Sequence, residues 1–262
     1  MIKALFFDID GTLVSFRTHA IPSSTVEALT AAKEKGVEIY ISTGRPFALI
    51  NNLGPIKHLI DGYITTNGAY CFIGDDVISC SPIPKEDVMH VIRKSDEMHF
   101  PCMVVGEKMV TMYNTAADPL KVKRIADLLN VPGIENELPI ADVLSHRILQ
   151  LTPFIDVEQE QEVLTSVTGM ESGRWCPDFA DFTAKGVSKA KGLKEMARFR
   201  NLDISETMAF GDGGNDISII REAGTGVAMG NANQSLKEVA DYITTSVDDD
   251  GVYNALKTYR VI

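Results

Sequence analysis

The sequence predicts an α/β protein, with a doubly wound, parallel-sheet core into which a smaller α+β segment is inserted. Stretches typical of strands and helices alternate at both ends of the chain, as in parallel sheets covered by helices. Three of the predicted strands end on polar residues, at Asp8, Thr43 and Asp212. Because the carboxyl ends of parallel strands meet at one rim of the sheet, we expect a functional site there.

The first predicted strand ends on two carboxylates. Residues 4–7 are wholly apolar, as expected of a strand buried on both faces, and the run stops at Asp8, with Asp10 two residues further on. Two carboxylates this close repel each other unless a cation lies between them or one keeps its proton. The pair therefore indicates a metal site, an acid/base pair or both. The simpler alternative is a turn with two capping aspartates.

The composition is that of an ordinary globular protein. The chain has 262 residues, enough for one large α/β domain or two smaller ones, with 45% hydrophobic and 23% charged residues. No apolar run approaches the roughly 18 residues of a membrane span, and the chain starts with a strand rather than a signal peptide. We therefore expect a cytoplasmic protein.

Charge and cysteine content narrow the function further. A formal net charge of −11 disfavours nucleic acid and anionic membranes as partners, since both require a basic face. A phosphorylated substrate would need a local cation. The cysteines form no C-x-x-C pair, so neither a zinc site nor a disulfide framework is indicated.

The first third of the chain alternates between strand and helix. The predicted elements are a helix over 24–36, strands over 37–42 and 62–66, and a hairpin over 70–80. Ser24 and Glu27 have the spacing of a capping box, and Gly36 is a typical helix end. Both of the strands end in polar residues, at Thr43 and at Asn67.

A proline-rich break follows the hairpin, in Ser81-Pro82-Ile83-Pro84, and predicts a domain boundary. The elements predicted beyond it are a helix around 88–95, strands over 102–106 and 109–113, a helix from 118, a strand over 147–151, a helix from 156 and two strands across 170–183. Adjacent hairpin-like strands are typical of an antiparallel α+β domain. The sequence thus predicts a core of residues 1–81 and 185–262 and an inserted domain of residues 82–184.

The strand and helix alternation resumes after the insert. The predicted elements are helices over 188–199, 217–223, 234–240 and 252–259 and strands over 207–210, 226–229 and 242–244. A glycine-rich loop, residues 211–216, follows the first of these strands. Its glycines allow close approach to a ligand, and Asp212 and Asp216 offer the oxygen ligands that Mg²⁺ prefers. A turn without a ligand is the alternative.

Four motifs occur in a fixed order along the chain. They are Asp8-Ile9-Asp10-Gly11-Thr12, then Thr43-Gly44-Arg45-Pro46 with Asn67-Gly68-Ala69, then Lys189, and finally Gly211-Asp212-Gly213-Gly214-Asn215-Asp216. Together they resemble the motifs of the haloacid dehalogenase-like superfamily, and within it those of the Cof-type sugar-phosphate phosphatases. The resemblance covers the whole chain, and the insert is similar to the α+β, type IIB cap of that subgroup.

The resemblance implies a role for each motif residue. Asp8 would be the nucleophile that forms an aspartyl-phosphate, and Asp10 would protonate the leaving oxygen and later deprotonate the attacking water. Thr43 would hydrogen-bond the phosphoryl group, and Lys189 would neutralise Asp8 and the phosphate together. Asp212 would ligate Mg²⁺ beside Asp8 and the backbone carbonyl of Asp10, with Asp216 and Asn215 completing or orienting that shell. The substrate would be bound by Gly44, Arg45, Asn67 and Asn215.

Two of these residues have simpler alternatives. Lys185 and Lys191 flank Lys189, and the three could form a solvated lysine face. The resemblance implies Lys189 as the active-site lysine, because it matches the family's placement of a Ser-Lys pair before an apolar helix, whereas Lys185 precedes a glycine. Arg45 could occupy the first turn of a helix, but its charge is unfavourable against the helix dipole there, which favours a phosphate or substrate role.

Within the insert, residues 174–181 combine the only tryptophan of the chain with charged side chains. An aromatic face can pack on a sugar ring and a carboxylate can accept hydrogen bonds from sugar hydroxyls. We therefore expect Trp175 and Asp178 to contact the substrate. A strand pair with its connecting turn is the alternative.

The sequence thus predicts a Mg²⁺-dependent phosphomonoester hydrolase, a monomer or weak homo-oligomer, that acts on a small phosphorylated metabolite. Sugar phosphates are the expected substrate class. Two rivals stay open. One is a phosphomutase, which would return the phosphoryl group from the same aspartyl-phosphate to a bound sugar, and the other is a non-catalytic sugar-phosphate sensor with the same fold.

Overall fold

The structure, a computed structural model, describes residues 1–107, 109–129 and 138–262, without the side chains of residues 128, 129 and 175. It divides into two compact units. The first comprises Met1–Arg45, Ile50–Ser79 and Ser188–Ile262, and the second comprises Pro46–Leu49 and Cys80–Val187. The sequence did not predict that Pro46–Leu49 would group with the insert.

Most of the described elements lie within a few residues of their predicted positions. The strands are β1 (Ala4–Phe7), β2 (Glu38–Ser42), β3 (Gly62–Thr65), β4 (Tyr70–Ile73), β5 (Asp76–Cys80), β6 (Cys102–Gly106), β7 (Val110–Tyr113), β8 (Ile148–Pro153), β9 (Met170–Cys176), β10 (Phe179–Ala184), β11 (Thr207–Gly211), β12 (Thr225–Ala228) and β13 (Tyr242–Ile243). The helices are α1 (Ser23–Glu34), α2 (Lys85–Met98), α3 (Pro119–Leu129), α4 (Ile140–Leu144), α5 (Val157–Leu164), α6 (Lys189–Arg200), α7 (Ile217–Glu222), α8 (Gln234–Lys237) and α9 (Gly251–Thr258). Helix α4 was not predicted, and α8 is shorter than the helix predicted over 234–240.

The first unit is built on a central sheet. Eight strands of the described chain form it, in the order β13-β12-β11-β1-β2-β3-β4-β5. Strand β1 lies between β2 and β11 and runs parallel to both, with Leu5 aligned to Ile39 and to Met208. Strand β4 pairs antiparallel with β3, so the sheet is mixed at that edge. The predicted doubly wound α/β fold is confirmed.

Apolar side chains fill the space on both faces of this sheet. Successive side chains of a strand point to opposite faces, and in β1 Leu5 and Phe7 join one buried cluster while Phe6 joins another. Helices α1 and α9 contribute to the first cluster, and α6 and α7 to the second. Strand β1 is therefore buried on both faces, as its apolar sequence predicts, and only its carboxyl end is available to a ligand.

The predicted capping box of helix α1 is wrong. The helix begins at Ser23 after Pro22, and no side chain within the described residues caps its first turn. Ser24 lies one residue inside the helix, where its hydroxyl donates instead to Asp250, at 2.5 Å. A local spacing rule cannot include this partner from the other end of the chain.

The second unit contains an antiparallel sheet, which the described residues form in the order β7-β6-β8-β10-β9. Apolar residues of α3 and the sheet pack together, and Leu49 packs against the same cluster. Asp156 caps α5 with the reciprocal pairing to Gln159 of a capping box, as the predicted helix start at 156 implies. Among the described residues, no helix of either unit has the length and apolar character that crossing a bilayer requires.

Candidate active site

Three adjacent strands of the first unit deliver polar residues to one rim of its sheet. Asp8 directly follows β1, Thr43 directly follows β2, and Asp212 directly follows β11. Since β1 lies between the other two strands and all three are parallel, their carboxyl ends lie side by side. The sheet order thus brings together residues that are up to 204 positions apart in the sequence.

Asp212 lies against the turn that follows Asp8. Gly11 has a φ of +87°, and a Cβ there would lie 2.2 Å from Oδ2 of Asp212. The hydroxyl of Thr12 donates to Oδ1 of the same carboxylate, at 3.2 Å. Only glycine combines this backbone conformation with such a close approach. The Gly11-Thr12 sequence therefore positions the Asp212 carboxylate as well as turning the chain.

A buried lysine joins the first and last motifs. Nζ of Lys189 donates to Oδ1 of Asp8 and to Oδ1 of Asp216, each at 2.6 Å. The Lys189 side chain is fully buried, whereas Lys185 is exposed. Although burial disfavours the charged form, the carboxylates of Asp216 and Asp8 raise the pKa of Lys189 above its usual value. Lys189 therefore remains an ammonium group between two acids.

The start of helix α6 places this lysine. The Ser188 hydroxyl caps the helix by accepting from the backbone N–H of Lys191. Gly68, with a φ of +100°, packs so closely that a Cβ would lie 2.1 Å from the Ser188 carbonyl oxygen. Thr66 and Asn67 also have positive φ values, of 49° and 55°, which is unusual for a β-branched residue such as threonine. The tight turn over residues 66–68 therefore fixes where α6 begins.

Asp216 also closes the acidic loop onto itself. Its Oδ2 accepts from the backbone N–H groups of Asp212 and Gly213, at 3.1 and 3.0 Å. Its Oδ1 accepts from Lys189, so the fully buried carboxylate is bonded through both oxygens. Asp216 thereby connects the Asp212 loop to the lysine.

The acidic side chains form a group that fits a divalent cation. Asp8, Asp212 and Asp216 each offer a carboxylate oxygen, and these oxygens lie within 4.8 Å of one another. Burial, opposed by Lys189 and reinforced by the other carboxylates of the site, raises the pKa of Asp8 well above its usual range. Burial and the charge of Asp216 raise the pKa of Asp212 to about 7, although the Thr12 hydroxyl opposes this. The site thus favours added positive charge, and its all-oxygen donors suit Mg²⁺.

The Asp10 carboxylate pairs with Arg45 and is not part of the acidic group. Its carboxylate accepts from Nε of Arg45 at 2.6 Å and from Nη2 at 2.9 Å, a two-pronged ion pair. The backbone N–H of Arg45 donates to the Thr43 hydroxyl oxygen, at 3.0 Å. The predicted ligation of a metal by the Asp10 backbone carbonyl remains a prediction. Arg45 lies against the proposed acid/base residue.

The side-chain amides of Asn67 and Asn215 lie beside Gly44 and contact each other. Nδ2 of Asn215 donates to Oδ1 of Asn67, at 3.1 Å. A Cβ on Gly44 would lie 3.1 Å from the same oxygen of Asn67, so glycine leaves room for the pair. The backbone N–H of Asn67 donates to the Thr43 carbonyl. Asn67 and Asn215, which the sequence predicts to bind substrate, therefore contact each other, and their substrate roles remain predictions.

The two predicted substrate contacts of the insert belong to the second unit. Asp178 forms an ion pair with Arg124 of α3, at 2.7 Å, and the side chain of Trp175 lies outside the described residues. The neighbouring Asp181 is buried and accepts from Gln150 and Thr152, at 2.9 and 2.7 Å. Asp181 therefore supports the β8 and β10 pairing, whereas the substrate roles of Trp175 and Asp178 remain predictions.

One residue at the rim was not predicted from the sequence. Asn231, after β12, donates to the backbone carbonyl of Gly11, at 2.8 Å. Its neighbour Asn233 donates through its backbone N–H to the Asp212 carbonyl, at 3.1 Å. The signal in the sequence is weak, because Gly230-Asn231 resembles any polar turn after a strand.

Comparison with known proteins identifies the family of this chain. The family model of the haloacid dehalogenase-like hydrolases matches residues 5–256. The putative phosphatase YkrA of Bacillus subtilis is 34% identical over 262 residues, which cover 97% of this chain and 96% of that protein.

Solved structures agree at the level of the fold. One, from work on a trigonal-bipyramidal intermediate in a phosphoryl-transfer superfamily, has a TM-score of 0.91 and 48% identity and covers 100% of both chains. The HAD subclass IIB sugar phosphatase BT4131 has a TM-score of 0.87 and 48% identity, covering 99% of this chain and 100% of its own. The family resemblance inferred from the motifs is confirmed.

Proposed function

The chain belongs to the haloacid dehalogenase-like hydrolases and is a phosphatase of that family, and we propose that it hydrolyses small phosphate monoesters through an aspartyl-phosphate on Asp8. The observation that carries this proposal is the burial of Lys189 between Asp8 and Asp216. A buried ammonium group at a carboxylate that itself lies at a sheet rim suits the electrostatic demands of phosphoryl transfer.

In the first step, a carboxylate oxygen of Asp8 attacks phosphorus while the bond from phosphorus to the leaving oxygen breaks. Asp10 gives its proton to that oxygen, so the product departs as a neutral alcohol. Lys189 offsets the negative charge of the attacking carboxylate and the phosphoryl group. The hydroxyl of Thr43 donates to a phosphoryl oxygen.

In the second step, water attacks the phosphorus of the aspartyl-phosphate. Asp10 takes a proton from the water as the bond to Asp8 breaks, which releases inorganic phosphate and restores both carboxyl groups. The ion pair with Arg45 orients Asp10 as the ionised carboxylate that accepts this proton. To act as the acid of the first step, Asp10 has to take up a proton and release part of its pairing with Arg45.

We propose that the metal is Mg²⁺. Asp8, Asp212, Asp216 and the backbone carbonyl of Asp10 would hold it. When bound, the ion supplies positive charge to the phosphoryl oxygens and to the attacking carboxylate. Asp216 keeps its bonds to the backbone of the loop and so holds the Asp212 donor in place.

We propose sugar phosphates as the substrate class, supported by the 48% identity to a sugar phosphatase. Residues 1–81 and 185–262 would carry the catalytic machinery, and residues 82–184 would set substrate specificity through Trp175 and Asp178. Gly44, Arg45, Asn67 and Asn215 would bind the phosphate end of the substrate. The protein would act in the cytoplasm as a monomer or weak homo-oligomer.

The test is phosphate release over a panel of hexose, pentose and nucleotide phosphates, with and without Mg²⁺. We expect Mg²⁺-dependent release that is fastest with a sugar phosphate. Little release of inorganic phosphate, with a requirement for a phosphorylated activator and isomerised sugar phosphate as the main product, would indicate the phosphomutase. Binding of sugar phosphates without any release would indicate the sensor.

A further inference from the structure

The loop after β12, residues 230–233, touches the active-site rim without supplying an acid or a base to the proposed chemistry. We propose that Asn231 in this loop is a positioning residue, which holds the Gly11 turn so that Asp10 and Asp212 keep their places relative to each other. This inference deepens the proposed function and rests on it.

The Asn231 amide joins two backbone groups from distant parts of the chain. Its Nδ2 donates to the Gly11 carbonyl at 2.8 Å, and its Oδ1 accepts from the Val247 N–H at 2.9 Å. The Gly11 and Val247 residues are buried, while Asn231 itself is exposed. An exposed side chain with both ends bonded contributes modestly to stability but can fix the orientation of a peptide group.

The Gly11 carbonyl belongs to the peptide that seats Asp212. The Gly11 N–H donates to the Val14 carbonyl at 2.8 Å, so the turn is closed on its other side. Rotation of the Gly11-Thr12 peptide would draw the Thr12 hydroxyl away from the Asp212 carboxylate, to which it donates at 3.2 Å. Among the described contacts, two bonds oppose this rotation: the Thr12 N–H donates to the Ile9 carbonyl at 3.3 Å, and Asn231 donates to the Gly11 carbonyl at the shorter distance of 2.8 Å.

The loop that presents Asn231 is itself held firmly. Gly230 donates through its N–H to the Thr245 carbonyl at 3.0 Å, and its own carbonyl accepts from Nζ of Lys237 at 2.6 Å. A Cβ on Gly230 would lie 2.6 Å from the backbone nitrogen of Ser246, so the two backbones are in close contact. Asn231 therefore acts from a fixed position.

Two further contacts connect the same segments. The backbone N–H of Asn233 donates to the Asp212 carbonyl, so the 230–233 loop contacts both acid-bearing turns. Asp248, next to Val247, accepts from the Ser15 hydroxyl at 2.8 Å, where the chain leaves the first turn. Loss of the Asn231 amide should thus shift the Gly11 turn relative to Asp212 without releasing either turn from the fold.

The experiment compares Asn231→Ala, which removes both bonds, with Asn231→Asp, which keeps an acceptor for Val247 but places a carboxylate oxygen against the Gly11 carbonyl. The matched control is Asn254→Ala, because the Asn254 amide donates to Thr245 and to the Asp249 carbonyl in the neighbouring segment. For each protein we would measure kcat and KM at saturating Mg²⁺, the Tm without metal, and the Mg²⁺-induced shift in Tm.

We expect kcat to fall about tenfold to a hundredfold in both Asn231 variants, the range typical of residues that orient metal ligands. KM should change little, and the metal-free Tm should stay within about 3 °C of the parent. In Asn231→Ala the Mg²⁺-induced rise in Tm should need a higher Mg²⁺ concentration. Asn254→Ala should match the parent in kcat.

The inference is overturned if kcat stays within about twofold of the parent in both Asn231 variants, or if Asn254→Ala loses as much. A parent that releases no phosphate contradicts the proposed function instead. In that case the Mg²⁺-induced rise in Tm tests the role of Asn231. Asn231→Ala must then need a higher Mg²⁺ concentration than the parent for this rise, and equal concentrations overturn the inference. A parent without any such rise overturns both.

Discussion

The ammonium group of Lys189 lies 2.6 Å from the Asp8 carboxylate, across 181 positions of sequence. The same nitrogen lies 2.6 Å from Asp216, and the lysine side chain is fully buried. Removal of one charged group from a buried set of this kind destabilises the fold, because it leaves an opposite charge buried without a partner. The contact therefore serves both the stability of the first unit and the proposed attack by Asp8.

Lys189→Met removes the charge while keeping most of the side-chain length. We expect phosphate release to fall at least about a hundredfold, as when a group that stabilises transition-state charge is lost. The free energy of unfolding should also fall, by roughly 3 kcal/mol, since two buried carboxylates lose their partner. Lys185→Met, at an exposed lysine nearby, should leave both quantities near the parent values. Equal losses in the two variants would refute the assignment of Lys189.

Asp212→Asn tests the charge balance of the acidic cluster. Burial and the charge of Asp216 raise the pKa of Asp212 to about 7, above the roughly 3.9 of an unfolded chain. For a raised pKa, the stabilising contribution is complete below about pH 4 and is lost as the pH rises to about 7. The metal-free parent should therefore lose stability relative to Asp212→Asn over this pH range.

Urea unfolding of both proteins without metal, across this pH range, measures that difference. At about pH 8, Mg²⁺ should stabilise the parent and so reduce the difference in free energy of unfolding between the two proteins. The free energy of unfolding of Asp212→Asn should change little when Mg²⁺ is added. Asp75→Asn, at an exposed turn, is the control for loss of one carboxylate. If the difference in free energy of unfolding does not change with pH, or if Mg²⁺ stabilises both proteins equally, the acidic cluster is not the metal site.

Removal of metal with EDTA should abolish phosphate release, and Mg²⁺ should restore it. Ca²⁺ should inhibit, because it takes more ligands at longer distances than Mg²⁺ and would misplace the Asp8 carboxylate. The measurement is the rate of phosphate release at fixed Mg²⁺ with increasing Ca²⁺. Undiminished activity after EDTA treatment would rule out the metal requirement.

Asp178→Ala and Trp175→Ala test whether the insert contacts the substrate and determines specificity. We expect both to change the ranking of kcat/KM among sugar phosphates while leaving hydrolysis of an aryl phosphate intact. Arg124→Ala is the matched control, since it breaks the same exposed ion pair but keeps the Asp178 carboxylate. If every ratio between substrates stays within about twofold, or ~0.4 kcal/mol, the selectivity lies elsewhere.

Much of the first unit could be predicted because its signals are local. An apolar run that ends on a carboxylate, as at Asp8, indicates both a buried strand and the rim where that strand ends. The family resemblance favours Lys189 over Lys185, and the burial of the Lys189 side chain supports that choice. Motif order along the chain completed the prediction.

Contacts between distant segments could not be predicted in this way. Ser24 satisfies the local spacing of a capping box, but its hydroxyl bonds to Asp250 instead. Asn231 is an ordinary turn residue until the fold brings it to the Gly11 carbonyl. Such partners depend on strand order in the sheet, which a single sequence indicates only through its overall pattern.

Trapping the phosphoenzyme would show whether Asp8 is the nucleophile. The protein would be quenched with acid during turnover of a radiolabelled sugar phosphate, and the labelled peptide would be identified. We expect label bound covalently at Asp8 and sensitive to hydroxylamine, as an acyl phosphate is. The label should be absent from folded Asp8→Asn, which should also release no phosphate. Phosphate release by Asp8→Asn above about 1% of the parent rate, or label on another residue, would contradict Asp8 as the nucleophile.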